Sequence, residues 1–273
     1  MKHIMDILFW VCVFFFGVSF GSFISAITYR MNPGSNDRSL KTILFRKSAC
    51  DDCDKHLNFW ELIPVFSYLF LRGKCTKCGH KIPVRYLVFE LICGLIVLLF
   101  SYNLYIWGQS GWMIVYKLFI ILTFLFLGYY DYLYWEIPLR FTFFCLIFIL
   151  ILQIFLFLIG SSDLEVLVMS FGGMLIGILG IAFLIYLSKG KGLGWGDSWI
   201  FGLVGVSLGL RGLFVVFFVA ICVGAFVGII KSIFTNTQIK GMLIQFVPFV
   251  SLGVLVFIYD VHNVIYRFLF PFF

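Results

Sequence analysis

Two aspartates and four cysteines are the residues of this chain whose types and spacing point most directly to chemistry. Asp131 follows a long apolar run, and Asp197 ends the tetrad Gly194-Trp195-Gly196-Asp197 just before another apolar run. A carboxylate at the edge of a membrane span is costly, which makes each acid a candidate functional residue. Each also has a simpler interpretation: solvation in a tyrosine-rich interfacial belt for Asp131, and capping of the next helix for Asp197.

Two carboxylates held close together cannot both ionise freely, so one keeps a proton while the other stays charged. The ionised acid can accept a proton from a water molecule as that water attacks a peptide carbonyl, and the protonated acid can donate to the carbonyl oxygen. No membrane-embedded histidine suggests a triad or a metallopeptidase site. We therefore predict that Asp131 and Asp197 form a dyad with aspartic-protease chemistry.

The four cysteines form two pairs with the spacing of zinc knuckles. Cys50 and Cys53 are followed, after 21 residues, by Cys75 and Cys78. Two such pairs can complete a tetrahedral sulfur site around one zinc ion, whereas disulfides are disfavoured in a reducing cytoplasm and idle thiols by the spacing. Because protein fills all four positions, the zinc is predicted to be structural, as a stabilising centre for a segment too small for a large core.

The composition predicts a polytopic membrane protein. The chain of 273 residues is 62% hydrophobic and only 12% charged, whereas soluble domains carry about 25% charged residues. Apolar runs predict spans at residues 4–29, 84–107, 112–130, 137–159, 166–187, 198–210, 212–230 and 242–259. The run 198–210 reaches only about 20 Å as a helix, so we expect it to lie shallow or to form a tight hairpin with the next span.

The basic residues predict the orientation. Eleven of them lie between residues 30 and 85, and cytoplasmic loops carry the excess of lysine and arginine. Eight spans place sixteen of the twenty basic residues inside, including Lys191, Lys231 and Lys240. A single kinked helix over 198–230 would move Lys231 and Lys240 outside, so the charge pattern favours eight spans over seven and puts both aspartates at the cytoplasmic face.

These features together predict an all-α polytopic membrane protein of about eight helices, with a small zinc-knuckle domain between the first two. Residues 1–29 form the first membrane helix, 30–83 the cytoplasmic zinc-binding domain, and 84–273 the bundle that carries both aspartates. Glu90 lies inside the second span, where we predict a buried polar anchor and keep a substrate contact as the alternative. The net charge of +7 is explained by topology and by attraction to anionic lipid, so nucleic acid is not an expected partner.

Motifs over nearly the whole chain carry a resemblance to a known family. In chain order they are Gly21-Ser22-Phe23, the two cysteine pairs, Glu61-Leu62-Ile63-Pro64, Leu71-Arg72-Gly73-Lys74-Cys75, Arg85-Tyr86 with Glu90, Asp131 before Ile137-Pro138, the tetrad that ends in Asp197, and Phe246-Val247-Pro248-Phe249. In these motifs the chain resembles the bifunctional type IV prepilin peptidases, which are aspartic enzymes of the bacterial inner membrane.

The resemblance implies cleavage of the short basic leader of type IV pilin-like precursors after a glycine. It also implies N-methylation of the new amino terminus by S-adenosylmethionine, with Asp131 and Asp197 as the peptidase residues. The domain 30–83 is then linked to methyl transfer, with Gly73 and Lys74 at positions tied to the cofactor.

Three positions differ from the family pattern. Ser25 stands where family members usually have Asn, Asp51 where they have Pro, and Trp199 where they have Lys. The first and last bear on substrate positioning near the active site, while Asp51 bears on knuckle geometry alone. The alternatives are a peptidase without methyl transfer, and a zinc-knuckle membrane scaffold or transporter; inverted repeats would favour a transporter, and the sequence has none that we detect.

Overall fold

The described part of the chain is built from helices and contains no β-strand. The computed structural model describes residues 2–34, 39–50, 52–106, 108, 110–190, 192–235 and 244–259. Outside these residues lie Arg38, Asp51, Lys191, Lys240 and the ends of two predicted spans, 107 and 242–243.

The helices follow the predicted spans closely. They are α1 (Lys2–Arg30), α2 (Leu40–Phe45), a 3-10 helix (Phe59–Leu62), α3 (Phe66–Phe70), α4 (Val84–Ile106), α5 (Gly111–Tyr134), α6 (Leu139–Leu158), α7 (Leu164–Leu187), α8 (Trp195–Thr235) and α9 (Val247–Tyr259). Among the described residues, six of these helices (α1 and α4 to α8) are long and apolar enough to span a membrane, and α9 is a shorter apolar helix. The predicted all-helical, multi-pass fold is confirmed, and the chain divides into two compact units, Met1–Gly108 and Gln109–Phe273.

The long helix α8 is a hairpin of two helices. Gly209 has φ 69° and ψ −175°, a conformation that interrupts the helix and that glycine adopts without a steric penalty. The rings of Phe201 and Phe217 lie 5.6 Å apart, whereas sixteen residues of continuous helix would separate them by about 24 Å. The hairpin predicted for 198–210 is therefore confirmed, and the halves 195–208 and 210–235, counted separately with α9, make eight apolar helical segments among the described residues.

Small residues bring α7 into backbone contact with the first half of α8. A Cβ atom on Gly205 would lie 2.1 Å from the Gly173 carbonyl oxygen, and one on Gly177 would lie 2.4 Å from the Phe201 carbonyl oxygen. Helices in lipid associate through such close packing because there is no hydrophobic driving force between them. This contact fixes the helix that begins beside Asp197.

Helix α9 is held against α5 by a buried polar contact. The Ser251 hydroxyl donates to the Phe124 carbonyl at 2.7 Å, and a Cβ atom on Gly128 would lie 2.7 Å from the same hydroxyl oxygen. The beginning of α9 therefore lies beside the last turns of α5, where Asp131 is located.

In the first unit, α1 and α4 pack closely and the cysteine-rich segment lies between them in sequence. A Cβ atom on Gly21 would lie 3.0 Å from the Cα atom of Glu90, so these two residues are at the same level of the helix pair. Arg30 at the end of α1 donates to the Ile43 carbonyl at 2.9 Å, which anchors the segment to the helix.

Candidate active site and metal centre

Asp131 lies in the last turn of α5, where helix-terminal carbonyls need donors. Its side chain is buried, with 7% of its surface exposed, and Oδ2 accepts a hydrogen bond from the Val247 N–H at 3.2 Å. Its own carbonyl accepts the Trp135 N–H at 2.9 Å. Trp135 ends the helix in the left-handed region with φ 59°. The carboxylate of α5 thus meets the first N–H of α9, where a helix attracts negative charge.

Asp197 is the third residue of α8 and is half-buried. It is not the capping residue itself: its Oδ2 reaches back to accept the Gly194 N–H at 2.8 Å, while its own N–H donates to the Gly194 carbonyl at 3.0 Å. A Cβ atom on Gly196 would lie 2.7 Å from Ile137 Cδ1. Glycine at 196 therefore lets the start of α8 approach the chain that follows α5.

Packing brings together the two chain segments that carry the acids. Asp131 and Asp197 are 66 positions apart in the sequence, but Gly196, beside Asp197, closely approaches Ile137 in the chain that follows α5. The helix end of α5 and the helix start of α8 therefore meet at one face of the second unit. Lys231 lies at this face as well, because its Nζ is 6.0 Å from the centre of the Trp135 ring.

Gln245 is a residue of the site that the sequence analysis missed. Its Nε2 donates to the carbonyl of Asp131 at 2.7 Å and to that of Tyr132 at 2.8 Å. Two residues later, the Val247 N–H bonds the Asp131 carboxylate. The signal in the sequence was a lone amide side chain at the start of an apolar run, directly before Phe246-Val247-Pro248-Phe249.

Phe246 ties the same segment to the other aspartate helix. Its ring stacks on that of Phe201 at 5.9 Å, and Phe201 is one helical turn after Asp197. Residues 245–247 therefore contact both helices that carry the candidate acids.

Ser25 and Trp199, which differ from the family pattern, each contact other residues of the fold. Trp199 packs edge-on against Phe143 with ring centres 4.5 Å apart, an aromatic contact of the kind that stabilises helix packing. The Ser25 hydroxyl donates to the Ser22 carbonyl within α1 at 2.8 Å.

The four cysteines predicted to bind zinc come together. All four sulfur atoms lie within 4.8 Å of one another, with Cys50 and Cys78 at 3.8 Å and Cys53 and Cys75 at 4.0 Å. A tetrahedral site with zinc–sulfur bonds of about 2.3 Å places its sulfur atoms about 3.8 Å apart. The arrangement fits one zinc ion, so this cluster can bind the metal as predicted.

Backbone turns direct the thiols of each knuckle inward. The N–H groups of Cys78 and Lys77 point at the Cys75 sulfur and lower the pKa of this thiol to about 6. The pKa of Cys78 is instead raised to about 12: the His80 N–H lowers it, but burial and hydrogen bonds to the other thiols outweigh that donor. Four sulfur atoms in this space need a cation to become thiolates together.

Glu61 joins the two knuckles from outside. Its Oε1 accepts Lys55 Nζ at 2.7 Å and the Thr76 hydroxyl at 2.6 Å, and Lys55 also bonds Thr76 directly. The Asn58 N–H donates to Oε2 at 2.9 Å. The Asn58 N–H together with Lys55 and Thr76 lowers the pKa of Glu61 to about 2. Lys55 follows the first knuckle and Thr76 lies within the second, so this carboxylate fastens both.

A cavity of about 290 Å³ lies in the first unit beside the cysteine cluster. It is lined among others by Tyr29, Tyr68, Tyr86, Glu90, Arg30 and Ser25. Gly73 and Lys74, predicted as cofactor-linked positions, are not among its lining residues. Gly73 has φ 64°, and a Cβ atom there would lie 2.8 Å from the Tyr68 hydroxyl. Glycine at 73 therefore allows Tyr68 to keep its place in the cavity wall.

Comparisons with known proteins match two family models along the chain. Residues 15–104 match the Bacterial Peptidase A24 N-terminal domain, and residues 118–229 match the Type IV leader peptidase family. The first match includes all four cysteines and the second includes both Asp131 and Asp197.

Several curated proteins named "Prepilin leader peptidase/N-methyltransferase" are similar to the chain. The one from Bacillus subtilis is 29% identical over 248 residues, which cover 90% of this chain and 93% of the relative. The one from Aeromonas hydrophila is 25% identical over 93% of this chain and 91% of its own. The one from Myxococcus xanthus is 30% identical over 84% of this chain and 65% of its own. No solved structure matches significantly.

Proposed function

Because the chain belongs to the type IV leader peptidase family, we propose that it cleaves prepilin-like precursors with Asp131 and Asp197 as its two catalytic acids. It then methylates the new amino terminus with S-adenosylmethionine. The observation that carries the first part is that one segment contacts both acid-bearing helices: the Val247 N–H bonds the Asp131 carboxylate, and the Phe246 ring stacks on that of Phe201, one turn after Asp197. A pair of coupled carboxylates is the basis of aspartic-protease chemistry.

In this proposal the two acids divide the work of hydrolysis. The ionised carboxylate takes a proton from the attacking water, the water oxygen bonds to the peptide carbon, and the protonated acid donates to the carbonyl oxygen. When the tetrahedral intermediate collapses, the C–N bond breaks, the leaving amine takes the proton that the first carboxylate removed from water, and the second carboxylate regains its proton from the hydroxyl group formed at the carbonyl oxygen. Val247 and Gly194, each with an N–H on one of the carboxylates, hold these side chains in place during the exchange.

The substrate's location supports a site at the end of the bundle. A pilin-like precursor has a basic leader and an apolar helix, so the bond between them lies at the membrane boundary. We propose that the protein resides in the bacterial inner membrane with its amino terminus outside and both aspartates at the cytoplasmic face. The eleven basic residues between 30 and 85 support this orientation. The bilayer is then the second partner, and no role for nucleic acid is proposed.

We assign methyl transfer to the domain 30–83, and cleavage to 84–273. The two compact units of the structure meet after Gly108, because α4 packs on α1. The boundary at residue 83 is therefore a proposed division of function and differs from the boundary between the compact units. When bound, S-adenosylmethionine supplies an electrophilic methyl group on a sulfonium ion. The tyrosines and Glu90 that line the cavity suit a cation of this kind, since aromatic faces and carboxylates attract positive charge.

In this assignment Gly73 and Lys74 act from beside the cavity. Gly73 does so through Tyr68, and Lys74 through its backbone pairing with Lys81, which lines the cavity. The zinc ion, held by the four cysteines, stabilises the domain and takes no part in catalysis.

The test uses purified full-length enzyme in lipid nanodiscs with a pilin-like precursor, with and without S-adenosylmethionine, and reads the products by mass spectrometry. We expect the leader to be removed in both cases and a methyl group to be added only with the methyl donor. Cleavage without methylation in the presence of S-adenosylmethionine would show that the protein is a peptidase without methyltransferase activity.

Asp131→Asn and Asp197→Asn are each expected to abolish cleavage, because an amide can neither accept the water's proton nor cycle as an acid. Asp163→Asn is the matched control, since Asp163 precedes α7, a helix that carries neither candidate acid. Turnover close to the parent enzyme in either dyad variant would show that the assignment of the acids is wrong.

A further inference from the structure

The segment 59–71 in the predicted cytoplasmic domain is too apolar for a water-exposed surface. Its sequence is FWELIPVFSYLFL, and its side chains are unusually exposed: 75% for Phe59, 76% for Trp60 and 81% for Phe70. Contiguous apolar patches on soluble surfaces are rare and mark contact with a partner or a membrane.

The segment has two faces of different character. Glu61, Ser67 and Tyr68 line the cavity of the first unit, together with Leu62 and Leu71. The opposite, aromatic face consists of Phe59, Trp60, Phe66, Leu69 and Phe70, which are exposed. One face therefore belongs to the domain, while the aromatic face lacks a cover among the described residues.

The aromatic face is continuous with a helix that spans the membrane. Phe66 stacks on Phe15 of α1 at 5.5 Å, with the rings 22° from parallel, and Phe70 continues the stack at 6.4 Å from Phe66. Phe15 is fifteen residues before Arg30 and so lies about 22 Å from that end of α1. The outer side of α1 here is itself exposed and apolar, with Phe16 and Phe23 half exposed. The medium that contacts this side of α1 must therefore also contact the aromatic face of the segment.

The backbone around the tip of the segment is hydrogen-bonded, as a chain in lipid requires. At its tip, Val65 has φ 63°, and its N–H donates to Glu90 Oε2 at 2.8 Å. Glu90 is buried in α4, six residues or about 9 Å from the start of that helix. The N–H groups after the tip bond within the segment, from Phe66, Ser67, Leu69 and Leu71 to Pro64, Ile63, Val65 and Ser67.

We propose that the 59–71 segment inserts its aromatic face into the lipid leaflet on the side of the cysteine cluster. It forms a short re-entrant wedge beside α1. Glu90 supplies the acceptor that allows its strained tip to lie at membrane depth, where an unpaired N–H is costly. The partner is the lipid bilayer, and the basic residues that directly follow, Arg72, Lys74, Lys77 and Lys81, suit the headgroup layer.

If the proposed methyl transfer takes place here, the wedge also keeps the cavity at the membrane surface, where the amino terminus of a membrane-anchored product emerges. The wedge itself stands on the contacts of the first unit, whichever residues carry out catalysis.

The test replaces Phe70 with an encoded fluorescent amino acid in the full-length protein, in nanodiscs whose acyl chains carry bromine, a short-range quencher. The matched control carries the fluorophore at Lys77, an exposed residue of the second knuckle. Bound zinc checks the fold of each protein. We expect loss of emission at position 70 and unchanged emission at position 77. Equal emission at both positions, with zinc retained, would overturn the proposal.

If Phe70 proves intolerant of replacement, Trp60 is labelled instead, because it lies on the same face. The number of protein copies per nanodisc then distinguishes contact with lipid from contact with a second copy. Quenching that appears only with one copy per nanodisc, and is lost with two, would assign the face to a second copy and contradict a lipid wedge. In Glu90→Leu, the Val65 N–H loses its acceptor, so we expect weaker quenching at position 70; undiminished quenching would overturn the role of Glu90.

Discussion

Gln245 offers the sharpest test of how the fold positions the candidate acids. Its amide donates to the carbonyls of Asp131 and Tyr132 at 2.7 and 2.8 Å. Gln245→Met keeps the length of the side chain but removes both hydrogen bonds. The segment that follows then loses its anchor, and with it the N–H of Val247 that bonds the Asp131 carboxylate.

The expected size of the effect follows from the two bonds. Each hydrogen bond contributes about 0.5–1.5 kcal/mol net, so the pair contributes about 1–3 kcal/mol. If this free energy serves to hold the carboxylate in its reactive position, its loss slows cleavage about 5- to 150-fold. Because the side chain bonds backbone at the end of α5, we expect a lower kcat with little change in KM.

The assay measures kcat and KM for precursor cleavage in nanodiscs, beside thermal unfolding of each variant. Ser188→Ala is the matched control: it also removes a side-chain donor to a helix-terminal carbonyl, that of Ile185 at 3.2 Å, but on α7, which carries neither acid. Loss of thermal stability in Gln245→Met with an unchanged kcat would refute the positioning role and leave a purely structural one. An inactive Asp131→Asn with a fully active Gln245→Met would have the same meaning.

The remaining predictions concern the metal and protonation. Cys50→Ser should release about one zinc per chain, because the binding energy of a structural site is folding energy, and methyl transfer should fall more than cleavage; metal analysis that finds no zinc in the parent protein would contradict this. Cleavage by Asp131 and Asp197 should peak at a pH where the pair holds one proton and should fall on either side; loss of cleavage with an intact fold on adding a chelator or an alkylating agent would count against the dyad. Glu61→Gln should destabilise the knuckles by about 1 kcal/mol, a value kept small because the carboxylate lies near solvent. Since the pKa of Glu61 is lowered from 4.5 to about 2, its contribution is complete above pH 4.5 and is lost as the pH falls towards 2. The measurement follows zinc release at neutral pH as the temperature is raised. Equal midpoint temperatures for Glu61→Gln and the parent protein would contradict the predicted destabilisation.

Patterns that depend on neighbouring residues were readable from the sequence. Apolar length predicted the spans, and the paired cysteines predicted a cluster whose sulfur atoms lie within 4.8 Å. The charge argument, based on Lys231, favoured a hairpin over one long helix. The structure has the hairpin at Gly209, whose φ of 69° interrupts the helix.

The sequence did not disclose the contacts made by residues far apart along the chain. The role of Gln245 depends on α9 lying beside the end of α5, which tertiary packing at Gly128 and Ser251 decides. A helix cap was one interpretation of Asp197 from the sequence, but α8 begins at Trp195. Asp197 is therefore the third residue of the helix, and its carboxylate turns back to Gly194.

The hydrophobic effect acts on composition, so the sequence by itself determined which segments leave water, and the spacing of the paired cysteines indicated which of them come together. It determined two candidate acids, but their proximity to one another is a property of the packed helices. The same holds for Glu90, a buried carboxylate whose acceptor role is explained by the Val65 N–H 25 residues earlier. Directional contacts require both groups at a set distance and angle, and for residues distant in sequence only the tertiary structure specifies that geometry.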